Sequence, residues 1–365
     1  MTERRKLLFY THAMTSGGAE RVVARLASGF AARGHQVILA VDFDAQETLH
    51  LLSRAVDLRV LPRGHWRGTM ALAHMLKRER PDASLSALSV SNLKHAVAAA
   101  LAGRIGRAVL GYHGFYLSEN EGLSALGYRL TPVLSRLAGA TVAVSQQLRD
   151  DLVAHFAAPS NRVRTIHNPA APEPFPEVLS PAELAARDPI VLSMGRLAPD
   201  KDYTTLIRAF AGLQRPDARL VILGEGPERA KLEAEARALG VADRVVLPGF
   251  TRDIAAELNR ARCFALSSRR ETFSLACVEA LAHGLPVVAT DCGGPSEILN
   301  DPALGALVPV GDVEALSQAI AAALAQPGDP APRQERARDF SLGAALDAYE
   351  SVIRAVTSAR AAPRG

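Results

Sequence analysis

The chain reads as an α/β protein of two doubly wound, Rossmann-like domains facing each other across a cleft, and three observations predict it. Short apolar runs alternate with helix-period segments along the whole sequence, the pattern of parallel sheets with crossover helices. A proline-dense stretch, "NPAAPEPFPEVLSPAELAARDP", interrupts that alternation near the middle, after which it restarts. The length, 365 residues, exceeds one ordinary core and suits two.

In the first half the apolar runs predict strands at Lys6–Thr11, Gln36–Val41, Ser84–Leu88, Arg107–Tyr112, Ala140–Val144 and Val163–Ile166. Between them, apolar residues at helical spacing predict helices over Ala19–Ala32, Thr69–Glu79, Leu93–Leu101, Leu123–Leu137 and Gln146–Phe156. Prolines 169, 172, 174, 176, 181 and 189 suit neither helix nor central strand, so residues 171–188 are expected to be a linker between a domain of residues 1–170 and one of 189–340. The second half predicts strands at Ile190–Met194, Arg219–Leu223, Arg244–Leu247, Cys263–Leu266 and Pro286–Ala289, each followed by a loop and a helix. A last helix, Leu342–Ala355, follows the "PGDPAPR" break.

Composition narrows the class. Hydrophobic residues at 48% with 22% charged are those of a soluble globular protein. The richest apolar window, Ala83–Ala102, is broken by Ser86, Ser89, Ser91, Asn92 and Lys94, so no bilayer span is expected. "MTERRKLLFYTH" runs straight into a strand without a signal peptide's apolar region, and a cytoplasmic location is the expectation. Cys263, Cys277 and Cys292 lack the close spacing of a zinc site and read as buried free thiols. Residues 1–178 hold 21 Lys/Arg against 14 Asp/Glu, whereas the remainder holds 21 against 24. A basic first half suggests an anionic partner. The basic residues do not alternate with stacking aromatics, which argues against nucleic acid.

Ligands of doubly wound folds bind beyond the carboxyl ends of strands, and the motifs lie there. The first βα turn, "THAMTSGGAERVVARLA", offers Gly17 and Gly18 before a helix whose free N–H groups can take an anion; a plain tight turn explains them equally well. It lacks the third glycine of a dinucleotide fingerprint, although Asp42 stands where a ribose-binding acid would, and Asp42-Phe43-Asp44 has the spacing of a metal-binding pair. "LSMGRLAPDKDY" places Gly195, Arg196 and Lys201 after the second half's first strand, the cations a diphosphate requires. "LGEGPERAKLE" is a second glycine-rich loop, and "LPGFTRDI" sets Gly249 and Phe250 at a strand mouth, where Phe250 either meets a nucleobase or caps the core. In "SSRRETFSLACVEALAHGLPVVAT", Glu271 precedes a helix and Glu279 lies within it, roughly 12 Å apart were the span all helical. Carboxylates accept hydrogen bonds from vicinal hydroxyls; Thr272, Phe273, Ser274 and Leu275 would present amides, with Ser274 as N-cap.

In order and spacing these motifs resemble the family-4 retaining nucleotide-sugar glycosyltransferases, over nearly the whole chain. Further marks are His113-Gly114, Val144-Ser145, Asn168-Pro169, Gly224-Glu225-Gly226-Pro227, Pro248-Gly249-Phe250, Gly284-Leu285-Pro286 and Gly293-Gly294. Thr272 departs from the glycine that many relatives carry. The resemblance implies the GT-B fold, with residues 341–365 packing back on the first domain. It implies that Arg196 and Lys201 bind the donor diphosphate, Glu279 the ribose and Glu271 the transferred sugar. Backbone around Phe250 would read the base of a UDP-sugar, less readily a GDP-sugar; Gly18 would let the first loop close over the phosphates, and His113 would approach sugar and acceptor. Catalysis would rest on Glu271, His113, Arg196 and Lys201, without cofactor or metal, with the departing phosphate taking the acceptor's proton.

The first domain would take the acceptor, a lipid or lipid-linked sugar. "LPRGHWRGTMALAHMLKRERPD" predicts a basic amphipathic helix whose Arg63, Trp66, Arg67, Lys77 and Arg78 would meet an anionic membrane, the inner face of the plasma membrane; core packing is an equal reading. "GFYLSENEGLSALGYRLTPVLSRLA", with Phe115, Tyr116 and Tyr128, is a second candidate. A nucleotide-sugar epimerase on the same fold, a nicotinamide-dependent oxidoreductase and a silent nucleotide-binding scaffold are the competing functions.

Overall fold

The computed structural model describes residues 3–14, 17–43, 45, 47–116 and 122–358. The chain divides into two compact units, one of residues up to Pro169 together with those from Leu342 onward, the other Ala170–Ser341.

The first unit is a parallel sheet of β1 (Lys6–Thr11), β2 (Gln36–Val41), β3 (Val56–Val60), β4 (Ala83–Ala87), β5 (Ala108–Tyr112), β6 (Ala140–Ala143) and β7 (Val163–Thr165). Its strand order is β3-β2-β1-β4-β5-β6-β7, so winding reverses between β1 and β4. In that register Leu8 pairs with Ile38 on one side and with Ser84 on the other. Strands covered on both faces must be apolar throughout, and β1, "KLLFYT", is buried from Leu7 onward. Helix Gly18–Ala32 turns Val22, Val23, Leu26, Ala27 and Phe30 inward.

The second unit repeats the plan with β8 (Ile190–Met194), β9 (Arg219–Leu223), β10 (Val245–Gly249), β11 (Cys263–Leu266), β12 (Val287–Thr290) and β13 (Gly305–Val308). The order is β10-β9-β8-β11-β12-β13, with the reversal between β8 and β11. Its core joins Leu206 and Phe210 of helix Tyr203–Ala211 to Leu220, Ile222, Ala265 and Val288 of the sheet. All three cysteines are free and buried.

The last helix, Leu342–Ser358, belongs to the first unit, where it lies on helix Gly18–Ala32. A Cβ at Gly29 would stand 2.7 Å from Leu346 Cδ1, so a glycine permits the approach. Arg33 Nη1 seals it, 2.7 Å from Asp347 and 2.9 Å from Glu350.

Several elements depart from expectation for local reasons. β3 and β13 were not foreseen: β3 is an edge strand whose Asp57 and Arg59 interrupt the apolar run, and β13 is four residues long. The helix expected over Leu123–Leu137 is two, Gly122–Arg129 and Thr131–Leu137, with Pro132 in the first turn of the second. The proline-rich segment is no bare linker. It contains helix Pro181–Ala186, opened by a capping box between Ser180 and Glu183, and Leu184 is wholly buried. Proline at a first helical turn loses no hydrogen bond. The same allowance lets helix Ala331–Arg338 begin inside the "PGDPAPR" break.

Candidate active site

In the second unit, the loops after β8 and β11 flank the point of reversal, where open α/β sheets bind ligands. Lys201 closes a short 3₁₀ turn after β8, and Glu271 lies beyond β11, held by Glu271 N–H to Cys292 O at 3.1 Å and Gly294 N–H to Glu271 O at 2.7 Å. Lys201 Nζ donates to Glu271 Oε1 at 2.6 Å, and Ser268 Oγ donates to the same oxygen at 2.8 Å. Oε2 of Glu271 accepts no hydrogen bond among the described residues. Burial pushes the Lys201 ammonium toward neutrality, but the Glu271 carboxylate outweighs it and holds the lysine pKa above its ordinary value. Arg196 is exposed and has no acidic partner among the described residues. The two loops are also tied directly, Ser267 Oγ donating to Lys201 O at 2.9 Å and Arg269 Nε to Asp202 at 3.0 Å.

Neighbouring loops brace this pair. Leu197 N–H donates to Glu225 O at 2.9 Å, Glu228 N–H to Leu197 O at 3.0 Å and Gly224 N–H to Gly249 O at 2.8 Å. A Cβ at Gly224 would fall 2.0 Å from Gly195 O, and one at Gly226 2.3 Å from Leu197 O, so the Gly-Glu-Gly loop is glycine-rich to let backbones meet. Phe250 follows β10 and is 68% exposed, so it does not cap the core. Ser274 caps helix Leu275–Ala282 by accepting from Cys277 N–H, as expected. Thr272 is half-buried, while Phe273 is buried against Phe340 with ring centroids 5.3 Å apart. Glu279 is buried within that helix.

The first unit's sequence-predicted residues are more scattered. Gly17 is the N-cap and Gly18 the first residue of helix Gly18–Ala32, both exposed. His113 follows β5; its Nδ1 is buried without a hydrogen-bond partner, its ring lines a cavity with Phe9, Leu85, Val109 and Tyr349, and burial pushes its pKa down to about 4.

Asp42 is neither a ribose acid nor a metal ligand in waiting, because its oxygens are already used. Tyr10 donates at 2.9 and 3.0 Å, Lys94 at 2.6 Å and His12 lies at 2.8 Å. Asp44 lies outside the described residues. Among the described residues, no group of three or more His, Cys, Asp or Glu could hold a metal ion.

Helix His65–Glu79 buries Gly68, Thr69, Leu72, Ala73, Met75 and Leu76 and turns Trp66, 68% exposed, and Met70 outward. Arg63, Arg67 and Lys77 are exposed without an acidic partner among the described residues, whereas Arg78 pairs with Glu79 at 2.8 Å. In the second candidate Tyr128 is wholly buried against Tyr112, Tyr116 and Phe156, Phe115 and Tyr116 are half-buried, and residues 117–121 lie outside the described residues. No helix among the described residues is long and apolar enough to cross a membrane.

Sequence reasoning missed Tyr10, His12 and Lys94. A lysine in the Ala-rich run "SVSNLKHAVAAAL" was the available signal, since a buried ammonium demands a counter-ion.

Two parallel, doubly wound sheets define a two-domain α/β protein of the GT-B class. HepE of Anabaena, solved with UDP and glucose, shares this fold with a TM-score of 0.80 at 21% identity, covering 96% of this chain and 100% of that one. The chain belongs to the family-4 glycosyltransferases: the "Glycosyltransferase Family 4" profile matches residues 16–173 and "Glycosyl transferases group 1" residues 177–340. The lipopolysaccharide core biosynthesis glycosyltransferase LpsE of Rhizobium meliloti is 35% identical over 170 residues, 45% of this chain and 49% of that protein. The GDP-mannose-dependent alpha-(1-6)-phosphatidylinositol monomannoside mannosyltransferase of Mycolicibacterium smegmatis is 37% identical over 168 residues, 42% of this chain and 43% of that protein. The chain thus spans about half the length of these two curated relatives.

Proposed function

We propose that this protein is a retaining glycosyltransferase that moves a hexose-type sugar from a UDP-sugar to a lipid or lipid-linked saccharide at the inner face of the plasma membrane. The product would be a glycolipid or cell-surface polysaccharide. The observation that carries the reading is Glu271, one oxygen held by Lys201 and Ser268, the other open to a ligand hydroxyl. Arg196 supplies an unpaired cation in the same loop as Lys201. On this reading Arg196 and Lys201 neutralise the diphosphate as it departs, with no metal ion required, and a preorganised charge is the largest single aid to such a step. Lys201 then divides its hydrogen bonds between Glu271 and phosphate, and Glu271 Oε2 accepts from a hydroxyl of the transferred sugar. Glu279 would hold the ribose hydroxyls, and exposed Phe250 with Gly249 the base. The GDP-dependent relative keeps the GDP-sugar as the alternative donor.

Lipid acceptors are supported by the names of both relatives and by the cationic, tryptophan-bearing face of helix His65–Glu79. Calorimetry against a panel of UDP- and GDP-sugars, followed by product analysis with membrane lipid extracts, tests the donor and the transfer. Absence of binding to every nucleotide sugar would overturn the reading. Turnover is expected to survive chelation by EDTA. Flotation with anionic liposomes tests the membrane contact: salt-sensitive binding is expected, and it should be lost when Arg63, Arg67, Lys77 and Arg78 become Ser.

A further inference from the structure

We infer that His12 recognises a hydroxyl of the acceptor sugar through its Nε2 lone pair, with Asp42 and Lys94 as the positioning pair beneath it; this rests on the acceptor reading for the first unit. The four side chains Tyr10, His12, Asp42 and Lys94 meet at the carboxyl ends of β1 and β2, beside the β1/β4 reversal where a doubly wound sheet takes its ligand. Asp42 and Lys94 side chains are only 11% and 6% exposed, while His12 is 47% exposed. A buried ion pair is weak evidence for stability, because well-packed apolar residues often serve as well. This one holds the single rim member that faces outward.

The chemistry fixes what His12 presents. Asp42 lies against the Lys94 ammonium at 2.6 Å, so its carboxylate is ionised and can only accept. The His12 Nδ1 atom, 2.8 Å away, must therefore carry a proton and donate, and in the neutral form of the ring this leaves the lone pair on Nε2. That atom has no partner among the described residues. The ring is further fixed by Phe43, edge-on at 4.9 Å, and the backbone by Asp42 N–H to His12 O at 2.9 Å. Gly68 makes room for the pair: a Cβ there would stand 3.3 Å from Asp42 Oδ1 and 3.5 Å from Lys94 Nζ. In that form a fixed lone pair with no proton to give selects a ligand O–H, the group a sugar or polyol offers, over an anion or a carbonyl.

The test uses the full chain with ¹⁵N-labelled histidine. Long-range ¹H–¹⁵N spectra should show His12 protonated on Nδ1, and octyl β-D-glucopyranoside or octyl β-D-galactopyranoside, below micelle concentration, should shift Nε2. A proton on Nε2, or no shift with either glycoside, overturns the inference. In transfer to the same glycosides, H12A should raise the acceptor KM at least tenfold with kcat changed far less, and H12Q, whose carboxamide oxygen also accepts, should restore most of the loss. An unchanged KM, or a fall in kcat alone, counts against it. The double variant D42N/K94M keeps the cluster neutral but offers His12 an amide donor; the Nε2 tautomer and the H12A phenotype should both appear. UDP affinity, measured separately, belongs to the second unit: if no nucleotide binds, the glycosyltransferase reading falls, and the glycoside shift of Nε2 still decides this one.

Discussion

Each unit carries a lysine–carboxylate pair 2.6 Å long beside its sheet's point of reversal, Lys94–Asp42 in the first and Lys201–Glu271 in the second. The pairs differ in what is left over. Asp42 has both oxygens occupied by Tyr10, His12 and Lys94, and burial, which alone would raise its pKa, is outweighed by the hydrogen bonds from His12 and Lys94 that hold it low. Glu271 keeps Oε2 open. The same chemical pair therefore serves as scaffold in one unit and as a candidate ligand group in the other. Saturation of the carboxylate, rather than the ion pair itself, separates the two roles.

Four experiments break or sharpen that contrast. Removing both cations of the second unit, Arg196→Ala with Lys201→Ala, deletes two charge-assisted bonds of about 1.5–3 kcal/mol each, so UDP affinity should fall roughly 10²–10⁴-fold by calorimetry. Glu271→Ala should cut kcat by about 10²-fold or more while UDP still binds; equal loss of both would erase the distinction between holding sugar and holding phosphate. In the first unit the matching change, Asp42→Ala, strands a buried ammonium and should cost about 3–5 kcal/mol in urea unfolding, with UDP affinity intact. Gly226→Ala, whose Cβ would collide with Leu197 O at 2.3 Å, should lower stability by about 1–3 kcal/mol and weaken UDP binding, since it displaces the loop bearing Arg196.

Acid offers a further probe. Burial pushes the pKa of His95, packed between Ser84 and Ser86, down to about 3, and that of His113 to about 4. Below the unfolded histidine value of about 6.5 the unfolded chain binds protons that these folded rings refuse. Stability should therefore decline as pH falls from about 6.5 toward 4. Asp42 acts later: its depressed pKa contributes stability above the ordinary carboxylate range that is lost on further acidification. A flat thermal midpoint between pH 7 and 4.5 would contradict the histidine assignment.

Much of the second unit was legible because its chemistry is local. Gly195, Arg196 and Lys201 occupy one short loop, and Glu271 stands just before a capped helix, so order along the chain reports order in space. The first unit's cluster joins residues from β1, the end of β2 and a helix some fifty residues later, a proximity that only strand order creates. Edge strand β3 and the proline-opened helices escaped for a different reason. Their residues satisfy backbone rules without showing an apolar period, as Asp57 and Arg59 do in β3.

The helix Leu342–Ser358 gives the first unit a split recipe. Its Leu346, Tyr349 and Ile353 are buried, yet they are synthesised only after all of Ala170–Ser341. The Gly29 side of helix Gly18–Ala32 thus waits without its partner helix while the other unit is made. A chimera that swaps first units between relatives must transplant two separate stretches of gene, and one that moves only the front part should yield an aggregating product.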